Sequence, residues 1–163
     1  GRGQVTIIPE DPDRVTISVN ATDVTIEGLT IENSFIGVWI FADSRVVKIG
    51  DVTIKGSADV GIGVEDSSNV FIQDSLIEDN YDGIFIRDSS EATITGNTIR
   101  DNSNDGIVMR GCSHVVILAN AITDNGGYGI NASADQAIAC GRNTIVHNGK
   151  GAYSDDALRQ KCE

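Results

Sequence analysis

The chain has 163 residues and a formal charge of −12, with 24 acidic residues against 12 basic ones. That length suits one domain with one continuous core, and that charge repels phosphate backbones and anionic lipid surfaces, which excludes nucleic acid as an expected partner. No apolar run approaches the roughly 18 residues of a membrane span, and no basic-then-apolar segment of the signal-peptide kind is present.

In chain order, Gly1-Arg2-Gly3 leads into a strand-like Val5-Thr6-Ile7-Ile8, after which Pro9 and Pro12 remove amide donors and discourage end-to-end pairing of the first coil. Beyond them the chain repeats itself. Ile8, Ile31, Ile54, Ile77, Ile99, Ile122 and Ile145 recur every 22 or 23 residues, as do Ile26, Ile49, Ile72, Ile94, Ile117 and Ala139. A third column runs Val15, Val38, Ile62, Ile84, Ile107 and Ile130. It is followed two residues along each coil by Ile17, Ile40, Val64, Ile86, Met109 and Ala132.

Each coil therefore offers three short stretches in which apolar and polar residues alternate, the pattern of half-buried strands. Every coil repeats the same strand order, so neighbouring strands run parallel and each column stacks on itself. The expected fold is all-β: a single domain over residues 1–163, a right-handed parallel β-helix of about seven coils of 22–23 residues (about 5–153) with three parallel sheets.

Turn chemistry falls at the same period. Gly37, Gly61, Gly83, Gly106 and Gly129 stand before the third column, where a sharp bend predicts positive φ. Asn80, Asn102, Asn125 and Asn148 form one ladder and Asn97, Asn120 and Asn143 another, each amide able to satisfy backbone groups or the next Asn. At the end of the chain, residues 154–163 read as a helical cap with Ser154 as N-cap, acids in the first turn, bases in the last and Leu158 on the final coil. Cys112, Cys140 and Cys162 match no zinc spacing. Either Cys140 and Cys162 bridge the tail to the last coil, or all three are thiols.

The pattern T-I-x-x-N-x-x-x-G-I, as in Thr98-Ile99-Arg100-Asp101-Asn102 followed by Asp105-Gly106-Ile107, resembles the parallel β-helix repeat family, the pectate-lyase-like right-handed β-helices. The resemblance implies the scaffold of polysaccharide lyases, uronate epimerases and β-helix surface proteins, an extracellular, cell-surface or periplasmic setting, and a substrate running along one parallel sheet.

Inward columns are committed to the core, so function falls on outward residues of the glycine-led strands. Trp39, Gly63, Phe85, Val108 and Asn131 form one outward column, and Phe41, Glu65, Arg87, Arg110 and Ser133 the next. Aromatic faces stack on sugar rings, while Arg and Glu bind carboxylates and hydroxyls. Trp39, Phe41, Phe85, Asp82 and Asp105 are thus candidate substrate-binding residues. In several lyases that the family resemblance brings in, the base is an Arg or Lys, which makes Arg87, Arg110 and Glu65 the candidate catalytic set. Two features oppose turnover: no Tyr-His-Asp cluster of the epimerase kind can be placed, and no long loop walls a cleft.

Asp79, Asp101 and Asp124 stack ahead of the turn asparagines, an oxygen-rich edge for which calcium is the candidate cation, although the repeat lacks the calcium-binding nonapeptide and solvated turn aspartates explain the edge better. Two functions follow: a module that binds, and in its catalytic form processes, polysaccharide, or a non-catalytic structural or adhesive solenoid.

Overall fold

The computed structural model describes residues 5–89, 91–133 and 137–163; the Gly1-Arg2-Gly3 lead lies outside them. Three parallel sheets stack around a narrow prism. The first holds Val5–Ile7, Leu29–Glu32, Thr53–Lys55, Leu76–Glu78, Thr98–Arg100, Ala121–Thr123 and Thr144–Val146. The second, glycine-led sheet holds Val15–Val19, Ile36–Ile40, Val60–Glu65, Asp82–Arg87, Ile107–Arg110, Tyr128–Ala132 and Gly151–Tyr153. Six strands from Thr22–Glu27 to Ile138–Gly141 make the third. Each coil visits the three in that order, which is the right-handed β-helix that the repeat predicted.

The isoleucine columns are the core. Ile31, Ile54, Ile77, Ile99 and Ile122 are paired strand to strand and fully buried, as are Ile49, Ile72, Ile94 and Ile117. Burying each such side chain contributes roughly 1.5–3 kcal/mol.

At the two ends, the strand pairing departs from the sequence period. Ile7, not Ile8, pairs with Ile31, and Ile8 is 60% exposed. In the second sheet, Val15 pairs with Ile36 and Ile17 with Val38, so Val19 takes the place opposite Ile40 that the period gave to Ile17. In the last coil, Cys140 pairs with Ile117 while Ala139 pairs with Val116 and faces outward. Cys140 thus occupies an isoleucine-column position, and from there it is disulfide-bonded to Cys162 of the C-terminal helix, Asp156–Cys162. That helix lays Leu158 in the core, as expected, but its N-cap is Asp155, which accepts from the Leu158 N–H. Ser154 instead exchanges hydrogen bonds with the backbone of Ala132 in the coil before.

The bends also differ from expectation. The glycines of the Gly37 column do not take positive φ. They are glycine because the coils close up there: a Cβ at Gly83 would sit 2.5 Å from the Gly106 carbonyl oxygen and 2.7 Å from Ile99 Cγ2. Left-handed backbone falls at the corners instead, on Asn33, Gly56, Asp79, Asp101, Asp124 and His147, each directly before a residue of the Ser34, Ser57, Asn80, Asn102, Asn125, Asn148 ladder. Short polar side chains tolerate that conformation.

Within the ladder, the backbone N–H and Nδ2 of Asn80 both donate to Asn102 Oδ1 (3.0 and 3.1 Å), Asn102 does the same to Asn125, and Asn125 to Asn148. Asn97, Asn120 and Asn143 repeat the scheme at a second corner. The third corner, at the end of the glycine-led strands, carries Ser44, Ser67, Ser89 and Cys112. There Ser89 Oγ accepts from the Ser67 N–H, and the Cys112 thiol donates to the carbonyls of Ile86 and Arg110. Burial pushes that thiol's pKa up, which suits a structural role.

Candidate functional site

The parallel register of the glycine-led sheet decides which outward side chains meet. Trp39 pairs with Gly63, Gly63 with Phe85, Phe85 with Val108 and Val108 with Asn131. Alongside, Glu65 pairs with Arg87 and Arg87 with Arg110. The Trp39, Gly63, Phe85, Val108, Asn131 column and the Glu65, Arg87, Arg110 part of the second therefore stand side by side, at about 4.8 Å per coil; Phe41 lies just past the end of its strand, and Val108 is buried. Trp39, Phe41 and Phe85 are half-buried, and Arg87 and Arg110 are exposed.

The indole of Trp39 leans across the neighbouring coil. A Cβ at Gly63 would overlap its Cε3 and Cζ3 atoms, so the ring occupies the space that any other residue at position 63 would need. Gly63 carries no chemistry of its own, and the sequence alone gave no reason to single it out. The signal was its 24-residue offset from Trp39 within the outward column.

Arg87 and Glu65 form an ion pair. The Glu65 hydrogen bond, foremost, and its charge hold the Arg87 guanidinium further above its ordinary pKa. A guanidinium held protonated serves as a cation and a hydrogen-bond donor, and the pairing opposes its use as a base. Arg110, one coil on, is in no ion pair among the described residues and is the more available cation.

Ahead of these strands stand Asp59, Asp82 and Asp105. Asp105 is buried at 3% exposure, and its carboxylate is occupied: Oδ1 accepts from the Tyr128 N–H and Oδ2 from Asn131 Nδ2, both at 2.6 Å. This bonding holds the backbone of one coil against the next. Asp82 is half-exposed, with Oδ1 accepting from Asn104 Nδ2 and the Asp105 N–H at 2.9 Å each. Burial, first, pushes its pKa up; its two hydrogen bonds oppose the rise, while the charges of Asp105 and Asp59 add to it. Asp59 and Asp82, both half-buried and both pushed up in pKa by burial, are the less committed acids of this column.

Beyond the other end of the strands, a groove of about 230 Å³ is lined by Asp43, Arg45, Asp66, Ser67, Ser68 and Asp88. Like the Asp79, Asp101, Asp124 edge, Asp43, Asp66 and Asp88 are one to a coil and left-handed. Among the described residues no three His, Cys, Asp or Glu side chains converge as a metal site. The acidic edges do not fit calcium, and no chemical step runs through it.

A family model described as right handed beta helix region matches residues 36–159. The chain belongs to that family. No curated protein matches it. Among solved structures, this β-helix is similar to a variant of the periplasmic alginate epimerase AlgG, with a TM-score of 0.76 and 22% identity over 82% of this chain and 34% of that one. It is also similar to the enzymatically active domain of tailspike protein 2 of bacteriophage CBA120, with a TM-score of 0.73 and 15% identity over 88% of this chain and 25% of that one. The chain thus spans about a third of the length of the AlgG structure, and at these identities the likeness is one of fold.

Proposed function

We propose that the outer face of the glycine-led sheet is a polysaccharide-binding strip, with Trp39, Phe41 and Phe85 as stacking surfaces and Glu65, Arg87, Arg110 and Asp82 as hydrogen-bonding groups. The observation that carries this reading is the strand register, which sets the aromatic column and the Glu65, Arg87, Arg110 column side by side on one flat sheet. Sugar rings present an apolar face to aromatic rings and hydroxyls to charged groups, and a periodic sheet suits a periodic ligand. The AlgG neighbour, named as an alginate epimerase, uses the same fold, and the Cys140–Cys162 disulfide suits an extracellular or periplasmic setting.

The strip supports binding better than turnover. Arg87 is held protonated by Glu65, Asp105 is committed to the backbone, and an open face excludes little water. The test is a binding screen against neutral and acidic polysaccharides with wild-type protein, Trp39→Ala and Arg87→Ala, alongside an ultraviolet assay for unsaturated uronate products. The expected result is at least tenfold weaker binding for Trp39→Ala with no lyase product. Equal binding by wild type and both variants, or no binding to any glycan, would favour the structural or adhesive solenoid.

A further inference from the structure

We infer that Trp39, Gly63 and Glu65 form a subsite for a neutral pyranose unit, with Gly63 as the residue that positions the tryptophan. The inference rests on the polysaccharide reading and adds to it a substrate class and a residue.

The indole of Trp39 occupies the space over Gly63, so the next coil supports the ring from beneath. The side chain is only half-buried, which leaves ring surface open to solvent. A sugar stacks on such a surface through its C–H face, and a ring already held in place loses little freedom on binding. Two residues along the same strand stands Glu65, joined to Arg87. The joined pair is neutral as a unit, yet it keeps carboxylate oxygens and guanidinium N–H groups that can exchange hydrogen bonds with hydroxyls.

Charge selects the sugar. A uronate on Trp39 would need a cation, but Arg87 is already paired with Glu65. The nearest guanidinium of the strip outside an ion pair among the described residues, Arg110, lies three strands away, roughly 14 Å at about 4.8 Å per coil. That exceeds the screening length of about 8 Å at physiological salt. The carboxylates of Asp43, Asp66 and Asp88 line the groove at the strand ends, with Arg45 as the basic residue among that lining. A carboxylated ring would meet net repulsion here, whereas a neutral ring would not.

The chain has one tryptophan, so its emission reports on this subsite alone. Calorimetric and fluorescence titrations with cellohexaose, mannohexaose and hexagalacturonate test the inference on wild type, Gly63→Ala and Trp39→Leu. At least one neutral hexaose is expected to shift the emission and to bind at least tenfold more tightly than hexagalacturonate at physiological salt. Gly63→Ala, whose Cβ displaces the ring, is expected to weaken that binding at least fivefold and to move the unliganded emission maximum, with the circular dichroism of the fold unchanged. Trp39→Leu keeps the apolar cover and is expected to lose at least tenfold; it decides the subsite whether or not Gly63→Ala folds.

Hexagalacturonate binding as tightly as the neutral hexaoses would overturn the neutral subsite and leave the strip reading in place. Wild-type binding by Gly63→Ala would overturn the positioning role, and wild-type binding by Trp39→Leu the subsite. Binding of none of the three probes would overturn the subsite, with the broader screen deciding the strip.

Discussion

The middle coils, Leu29 to Thr123, and the first coil, Val5 to Glu27, follow one pattern with different strictness. In the middle, column isoleucines such as Ile54, Ile77 and Ile84 are fully buried and recur at 22 or 23 residues. In the first coil, Val5 and Ile8 are about 60% exposed, and the register of two sheets departs from the period. A middle residue has a coil on either side, whereas a residue of the first coil has one described neighbour. Burial in a solenoid thus comes from stacking, and a strand that is apolar by sequence stays exposed where no described coil stacks on it.

The largest expected effect tests that contrast directly. Ile84→Ala opens a cavity between two coils and should cost about 2–5 kcal/mol, while Ile8→Ala should change stability by less than about 0.5 kcal/mol. Urea unfolding of both variants is the measurement. Similar losses would show that Ile8 is covered in solution and would break the comparison.

A smaller difference is expected along the asparagine ladder. Asn102 accepts from both donors of Asn80 and is 1% exposed, so Asn102→Ala strands buried donors and should cost about 2–3 kcal/mol. Asn148 accepts the same pair of bonds from Asn125 but is only half-buried, so water can replace it. Asn148→Ala should cost about 1 kcal/mol or less. Thermal unfolding, with amide exchange read at Asn80 and Asn125, separates the two. Equal costs would mean that ladder position, not burial, sets the energy.

How much the sequence revealed follows the same division. Columns and sheets were legible because the middle coils keep an isoleucine at each column position, as at Ile54, Ile77, Ile99 and Ile122. The ends were not, for local reasons. Ile7 and Ile8 are adjacent and both apolar, so the 23-residue period picks Ile8 where the pairing with Ile31 takes Ile7, one residue further back; Ala139 and Cys140, 22 and 23 residues after Ile117, pose a similar problem. The outward strip was legible because alternation fixes which residues point out once the inward ones are known.

What each outward group does was less legible, because its partners lie 22 to 26 residues away. Asp105 reads as a ligand-facing acid until Tyr128 and Asn131 are seen to occupy it. The glycines of the bend read as left-handed until the carbonyl of the next coil is seen to press on them. The serine and cysteine corner went unread because Ser44, Ser67, Ser89 and Cys112 look unrelated until they are stacked.

The contrast between middle and end extends to charge, and pH gives the smallest effect. Asp82, among the middle coils, has its pKa raised, chiefly by burial. Asp11, in the first coil, has its pKa lowered, chiefly by its hydrogen bond from Arg14. A raised folded pKa means that Asp82's contribution is most favourable below the ordinary value of 3.8 and is lost as pH rises through the folded value. For Asp11 the sign reverses: its contribution is present above 3.8 and is lost as pH falls through the depressed folded value. Asp82→Asn keeps the Oδ1 acceptor for Asn104 and Asp105 while removing the charge. It should therefore stabilise the protein at neutral pH by a few tenths of a kcal/mol after solvent screening, a gain that fades below the carboxylate range. Asp11→Asn should destabilise at neutral pH and converge on wild type in acid. Denaturation midpoints of the two variants against pH should thus depart from wild type in opposite directions; departures of the same sign would mean that the overall charge of −12, rather than each acid's surroundings, governs the response.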